Sequence, residues 1–257
     1  MRTRASGLTE GRTERWPYPR VVAHRGGGTL APENTLGAIR HGASLGFKGV
    51  EFDVMLAGDG TPLLIHDEML DRTTSGKGAV PAKTYAEIVT LDAGAWHSER
   101  FRGERVPTFV ESAKLCRELG VWANVEIKPA KGFEVQTGRA VGQLTLDLWR
   151  GAALSPVLSS FSVEALAAAK EVAPALPRGM LVSRIPGDWK VRMERLGCVA
   201  LHCNYKELTE PVTAEIHAAG YAVLCWTVND SKEAAKLFGW GVDCIVTDRL
   251  DLIGPDF

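Results

Sequence analysis

Glu51-x-Asp53 and Glu126-x-Lys128 each set two ionisable side chains two residues apart inside an otherwise apolar run. In an extended strand alternate residues share a face. Glu51 and Asp53 therefore project together, away from Val50, Phe52 and Val54, and Asn124, Glu126 and Lys128 do the same against Val125 and Ile127. Ionised carboxylates gathered in an apolar interior carry a large desolvation and repulsion cost unless a cation or basic partners compensate. Glu51, Asp53 and Glu126 are hard oxygen donors, which suit Mg²⁺ or Ca²⁺ better than zinc, whose usual ligands are His and Cys. The plainer alternative pairs the acids with Lys128 and Arg25 and holds no metal; the number of groups involved favours the ion.

A lone His beside an apolar run is more often a packing residue than a catalyst. His41, His97, His202 and His217 are read that way, although parity puts His202 on the face of Asn204 near a strand end. His24 and His66 differ. Each ends an apolar run and is followed by a charged residue, Arg25 or Asp67, which makes the two histidines candidates for general acid and base. A phosphodiester fits the set: a divalent ion and Arg25 hold its anionic oxygens, one His removes a proton from the nucleophile and the other protonates the leaving oxygen. These residues alone describe a metal-dependent hydrolase or lyase.

The elements that must position these groups follow from apolar runs alternating with segments of helical period, the pattern of parallel strands and crossover helices. Strands are expected at Val21–His24, Val50–Leu56, Pro62–His66, Trp122–Ile127, Val157–Phe161, Gly179–Val182, Val199–Cys203, Ala222–Val228 and Cys244–Thr247. The link AGDGT after Leu56 is too short for a parallel crossover and contains the turn pair Asp59-Gly60, so the strand ending at His66 returns antiparallel. Eight strands remain, enough for a closed (β/α)8 barrel, an α/β fold over residues 21–257. An open doubly wound sheet would need a Gly-rich phosphate loop, and Gly26-Gly27-Gly28 does not begin one. Helices are expected at 36–43 after an Asn34 or Thr35 cap and near 108–119, 134–150, 162–172, 209–219 and 230–239. Residues 67–107 form an insertion over one end of the barrel. Glu51, Asp53 and Glu126 lie near strand carboxyl ends, where barrel enzymes carry their sites.

Composition narrows the class further. The 257 residues are 45% apolar and 24% charged, which excludes collagen-like, low-complexity and disordered chains. A net charge of −1 offers nucleic acid and membrane no attraction. The five cysteines are odd in number and lack CxxC spacing, as expected of reduced core residues. Residues 1–20 are basic without an apolar stretch, which suggests a loose tail on a cytoplasmic protein.

His24-Arg25-Gly26, Pro32-Glu33-Asn34-Thr35, Glu51-x-Asp53, Asp59-Gly60, His66-Asp67, Glu126-x-Lys128 and Trp226-Thr227-Val228-Asn229, in this order between Val21 and Asp248, resemble the glycerophosphodiester phosphodiesterase family. The resemblance implies a TIM barrel whose family insertion is 67–107, and cleavage of glycerophosphodiesters to glycerol 3-phosphate and an alcohol such as choline or ethanolamine. Carried over by motif, His24 and His66 are the acid/base pair, Glu51, Asp53 and Glu126 the metal ligands, Arg25 and Lys128 phosphate contacts, and Trp226 an apolar wall for glycerol or a filler of the lumen. Pro32–Thr35 reads as a helix start without a chemical role, and Asp67 as the residue that orients His66. The cytoplasmic branch of the family points to Mg²⁺ rather than Ca²⁺. Two other readings keep the site: a lysophospholipase D or cyclic-phosphate-forming lyase, with Phe101, Phe109 and Trp96 as an apolar mouth, and a non-catalytic phosphodiester-binding protein.

Overall fold

Residues 15–257 are described by a computed structural model. Its strands are β1 (Val21–Ala23), β2 (Gly49–Leu56), β3 (Pro62–Leu64), β4 (Trp122–Ile127), β5 (Val157–Ser160), β6 (Arg178–Val182), β7 (Ala200–Asn204), β8 (Ala222–Trp226) and β9 (Cys244–Thr247). The helices are α1 (Leu36–Ser44), α2 (Tyr85–Ile88), α3 (Phe109–Leu119), α4 (Glu134–Leu148), α5 (Val163–Val172), α6 (Trp189–Leu196), α7 (Glu210–Ala218) and α8 (Ser231–Gly239). Parallel pairing runs β2-β4-β5-β6-β7-β8-β9-β1, and β1 closes on β2 with Ala23 opposite Val50. The result is a (β/α)8 TIM barrel. β3 is the antiparallel return, Val54 facing Leu64.

Parity holds along each barrel strand. Phe52, Val125, Ile127, Leu158 and Leu201 are fully buried against the helix layer, while Val22, Trp122, Val157, Ala222 and Val246 form a separate cluster in the lumen. Capping fixes where helices begin and end. Thr35 accepts from the Ala38 N–H at the start of α1, Thr108 and Glu111 form a reciprocal capping box before α3, and Gly120 ends α3 with φ +64°.

Four expectations need correction. The strand expected to reach His66 stops at Leu64, which packs outward with the helix layer, so His66 is placed by the turn after β3. Helix α6 was not anticipated; its apolar stripe Trp189, Met193 and Leu196 is short and set among charges. Of the loose tail expected over 1–20, residues 1–14 lie outside the described residues, whereas Trp16 is 3% exposed. Its ring meets Trp122 edge-on at 5.9 Å and closes the amino end of the lumen. The apolar mouth also does not form: Phe109 is sealed against Phe52, and Trp96 and Phe101 pack on the ring of His97.

His202 lies in the lumen above Trp16, fully buried, and neither ring nitrogen has a hydrogen-bond partner among the described residues. Its ring needs Gly179 opposite, where a Cβ would stand 2.2 Å from Nε2. Burial pushes the imidazole down to about 3. Between that value and an unfolded value of about 6.5, only the unfolded chain takes up the proton, so the stability contributed by a neutral His202 is complete at neutral pH and is lost as pH falls. We expect unfolding free energy to drop by about 3 kcal/mol between neutral pH and about pH 4 through this residue. Denaturant titrations of His202→Leu should show a flatter acid limb; an unchanged limb would assign the loss to other groups.

Residues 67–107, expected above to form an insertion, pack on the β2–β3 hairpin. The Gly58 N–H donates to Lys83 O at 2.7 Å and the Tyr85 N–H to Asp59 Oδ2 at 2.9 Å. Leu70, Val80, Ile88 and Val106 give it a small core shared with Met55 and Leu63.

Candidate active site

At the carboxyl end of the barrel a cleft of about 500 Å³, mouth included, is lined by groups from the strands and the loops after them. Its size suits a small ligand with a few convergent polar contacts. Glu51 and Asp53 come from β2, Glu126 from β4 and Lys128 from just beyond it, His24 and Arg25 from the loop after β1, His66 from the turn after β3, and Trp226 from the end of β8. All eight residues singled out in the sequence therefore meet in one cavity.

One oxygen each from Glu51, Asp53 and Glu126 lies within 4.8 Å of the others. Among the described residues no other set of three His, Cys, Asp or Glu side chains comes together in this way. Three carboxylates face two cations, Arg25 and Lys128, within the cleft. Lys128 Nζ donates to Glu126 Oε1 at 2.9 Å and lies 3.6 Å from Asp53 Oδ1, and Arg25 Nε lies 3.6 Å from Asp53 Oδ2. Burial raises the Glu51 carboxyl well above its ordinary range, with Asp53 and Glu126 adding repulsion. Burial, then Asp53, pushes Glu126 up to about 7. For Asp53 burial acts in the same sense, but Lys128, Arg25 and His66 outweigh it and hold the group low. Glu51 Oε1 is buried with no partner among the described residues. A negative, all-oxygen cluster with an orphaned acceptor fits a hard divalent cation.

The two imidazoles are anchored alike. His24 Nδ1 lies 2.5 Å from Asp248 Oδ1, and His66 Nδ1 lies 2.7 Å from Asp67 Oδ1. Lys128 Nζ stands 3.0 Å from His66 Nε2 and can only donate, so this nitrogen accepts and the His66 proton sits on Nδ1, toward Asp67. On His24, Nε2 is directed toward Glu51, 3.8 Å away. Both rings thus turn their Nε2 atoms into the cleft, where a reacting oxygen would stand. Burial lowers the His66 imidazole, and Arg25 and Lys128 add to the effect against Asp53.

Several supporting residues escaped the sequence reading. Asn34, at φ +58°, donates from Nδ2 to Asp53 Oδ2 at 2.9 Å and accepts from the Asp53 N–H at 3.1 Å, so Pro32–Thr35 does more than start a helix. Asp248 is held by Asn229 Nδ2 at 2.9 Å, and a Cβ on Gly28 would stand 2.2 Å from Asp248 O, so the glycine run serves close packing. Phe161 follows β5, is 43% exposed, and meets Trp226 edge-on at 5.4 Å to make one apolar wall. The only sequence signal for Asp248 is a carboxylate just past the last barrel strand. His217 pairs with Asp243 and His97 bonds Thr29 O, and both lie outside the cleft lining, as do His41 and His202.

The arrangement can neutralise an anionic phosphodiester and offers two imidazoles to move protons. Residues 24–252 match the model of the glycerophosphoryl diester phosphodiesterase family. A glycerophosphodiester phosphodiesterase from Caldanaerobacter subterraneus is 34% identical over 89% of this chain and 93% of its own length. An Oleispira antarctica phosphodiesterase, solved in complex with the product sn-glycerol-3-phosphate, superposes with a TM-score of 0.85 at 38% identity, covering 90% of this chain and 93% of that one. A glycerophosphodiester phosphodiesterase from Agrobacterium tumefaciens superposes at 0.77 with 28% identity, over 91% and 97% of the two chains.

Proposed function

Because the chain belongs to the glycerophosphoryl diester phosphodiesterase family, we propose that it hydrolyses glycerophosphodiesters to sn-glycerol 3-phosphate and an alcohol, with a divalent ion and two histidines. The observation that carries this reading is the convergence of three carboxylates, two imidazoles, Arg25 and Lys128 on one cleft.

Glu51, Asp53 and Glu126 would hold the ion, which we take to be Mg²⁺, since three protein oxygens leave room for the waters and phosphate oxygens that Mg²⁺ keeps. When bound, the ion screens the phosphate charge and orients the diester. Arg25 and Lys128 contact the non-bridging oxygens. The free 2-hydroxyl of the glycerol unit attacks phosphorus as one histidine accepts its proton, and the other histidine protonates the departing alcohol oxygen. Water then opens the resulting cyclic phosphate with the two roles exchanged. An internal nucleophile removes an entropic barrier worth up to about 7–11 kcal/mol in well-aligned cases, leaving the side chains charge neutralisation and proton transfer. Trp226 and Phe161 border the glycerol carbons. Among the described residues no helix is long and apolar enough to cross a membrane. We place the protein in the cytoplasm, supported by its five buried, unpaired cysteines.

The test is a coupled assay for released glycerol 3-phosphate over choline, ethanolamine and glycerol head groups, with Mg²⁺ or Ca²⁺. Release with a divalent ion is expected. No release from any head group would sink the reading, and a cyclic phosphate that persists in phosphorus NMR would make the protein a lyase.

A further inference from the structure

Arg72 lies in the insertion and does not line the cleft, yet its guanidinium joins two carboxylates, each of which holds a side chain that does. Nε and Nη2 donate to Asp67 Oδ2 and Oδ1 at 2.6 and 3.1 Å, and Nη1 and Nη2 donate to Glu33 Oε2 and Oε1 at 2.7 and 2.9 Å. Asp67 accepts from His66 Nδ1 at 2.7 Å, and Glu33 Oε1 from Arg25 Nη1 at 2.7 Å. One planar group therefore closes the chain His66, Asp67, Arg72, Glu33, Arg25, both ends of which face the cleft. The geometry is bidentate on each side, which only a guanidinium supplies.

Arg72 is itself held in place. It rides on a turn anchored by fully buried Leu70, whose N–H donates to Gly78 O at 2.9 Å and whose carbonyl accepts from Thr74 Oγ1 at 2.7 Å. On the far side the Gly78 N–H donates to Asp71 Oδ2 at 2.9 Å. As a source of stability, an ion pair on a side chain 44% exposed is weak. As a spacer it is well placed.

We propose that Arg72 is a positioning residue that fixes the His66 imidazole, through Asp67, and the Arg25 guanidinium, through Glu33, at a set separation across the phosphodiester site. This rests on the function proposed above, and it gives the insertion a task in the reaction although Arg72 touches no substrate.

The experiment compares Arg72→Gln, Arg72→Lys, Asp67→Asn, Glu33→Gln and the Asp67→Asn/Arg72→Gln double variant in the Mg²⁺-loaded enzyme with glycerophosphocholine. Arg72→Gln should lower kcat roughly 10- to 100-fold, as loss of alignment does, and raise KM several-fold. Asp67→Asn should reproduce the kcat loss and Glu33→Gln the KM rise. Adding Arg72→Gln to Asp67→Asn should cost little further kcat, since both act through one imidazole. Arg72→Lys keeps the charge and cannot span both carboxylates, so it should remain impaired. Full activity in Arg72→Lys, additive losses in the double variant, or a kcat loss that only tracks a lowered Tm with KM unchanged would each overturn the proposal. A readout free of turnover is the nitrogen-bound Nδ1 proton of His66 in ¹⁵N-imidazole NMR, expected to lose its hydrogen-bonded shift in Arg72→Gln. A wild-type protein inactive on every glycerophosphodiester would remove the functional reading; an unmoved imidazole signal would remove the clamp.

Discussion

Replacing His66 by alanine should lower kcat for glycerophosphocholine by roughly 10²–10⁴-fold, the usual contribution of a positioned acid or base. The expectation rests on the geometry of the ring. Asp67 fixes Nδ1 at 2.7 Å, and Lys128 meets Nε2 at 3.0 Å, so the imidazole has one orientation and one tautomer before substrate arrives. The ring is only partly buried and belongs to no apolar cluster, so the variant should fold with a Tm within a few degrees of the parent. His24→Ala is expected to behave alike, its ring being held by Asp248 at 2.5 Å. Turnover is read by release of glycerol 3-phosphate with Mg²⁺ held saturating. Near-normal kcat in either variant would take that histidine out of the chemistry and leave the proton to water or Lys128.

The contrast between these two histidines and their partners shows what a linear reading can reach. Strand alternation is local, so Glu51, Asp53 and Glu126 could be assigned to one interior, and the Asp59-Gly60 turn forced an antiparallel return. Partners joined by loop closure are not local. Asp248 meets His24 across 224 residues and Arg72 meets Glu33 across 39, and nothing in the spacing of either pair encodes contact. Phe109 illustrates a different failure: an aromatic residue near the insertion resembled a rim residue, but the Thr108–Glu111 capping box starts α3 there and turns the ring into the core. Trp16 was hidden for the opposite reason, a large apolar side chain in a charged stretch whose burial depends on Trp122 and Tyr18. Tertiary contacts decided Asp248, Arg72 and Trp16, and a local cap decided Phe109.

Stripping the protein with EDTA should reduce turnover by at least about 10²-fold, with recovery on adding back Mg²⁺, because charge stabilisation by a bound ion is worth several kcal/mol. The cluster supplies the physical reason. Burial and mutual repulsion raise Glu51 and hold Glu126 near 7, so without a cation these groups take up protons that a cation would displace. Two consequences can be measured without assaying catalysis. Saturating Mg²⁺ should raise Tm, since a ligand at 100 times its Kd stabilises the native state by about 2.7 kcal/mol. The apparent affinity should also fall as pH drops below about 7, because ion and proton compete for the same carboxylates. Glu51→Gln removes one of the charges and leaves the volume, so it should fold, need roughly tenfold or more Mg²⁺ for half-activation, and show a smaller Tm rise. The orphaned Glu51 Oε1 makes this the most direct substitution. Full activity after exhaustive chelation, or a Tm indifferent to Mg²⁺ in both proteins, would return the three acids to the plainer reading of ion pairs with Arg25 and Lys128.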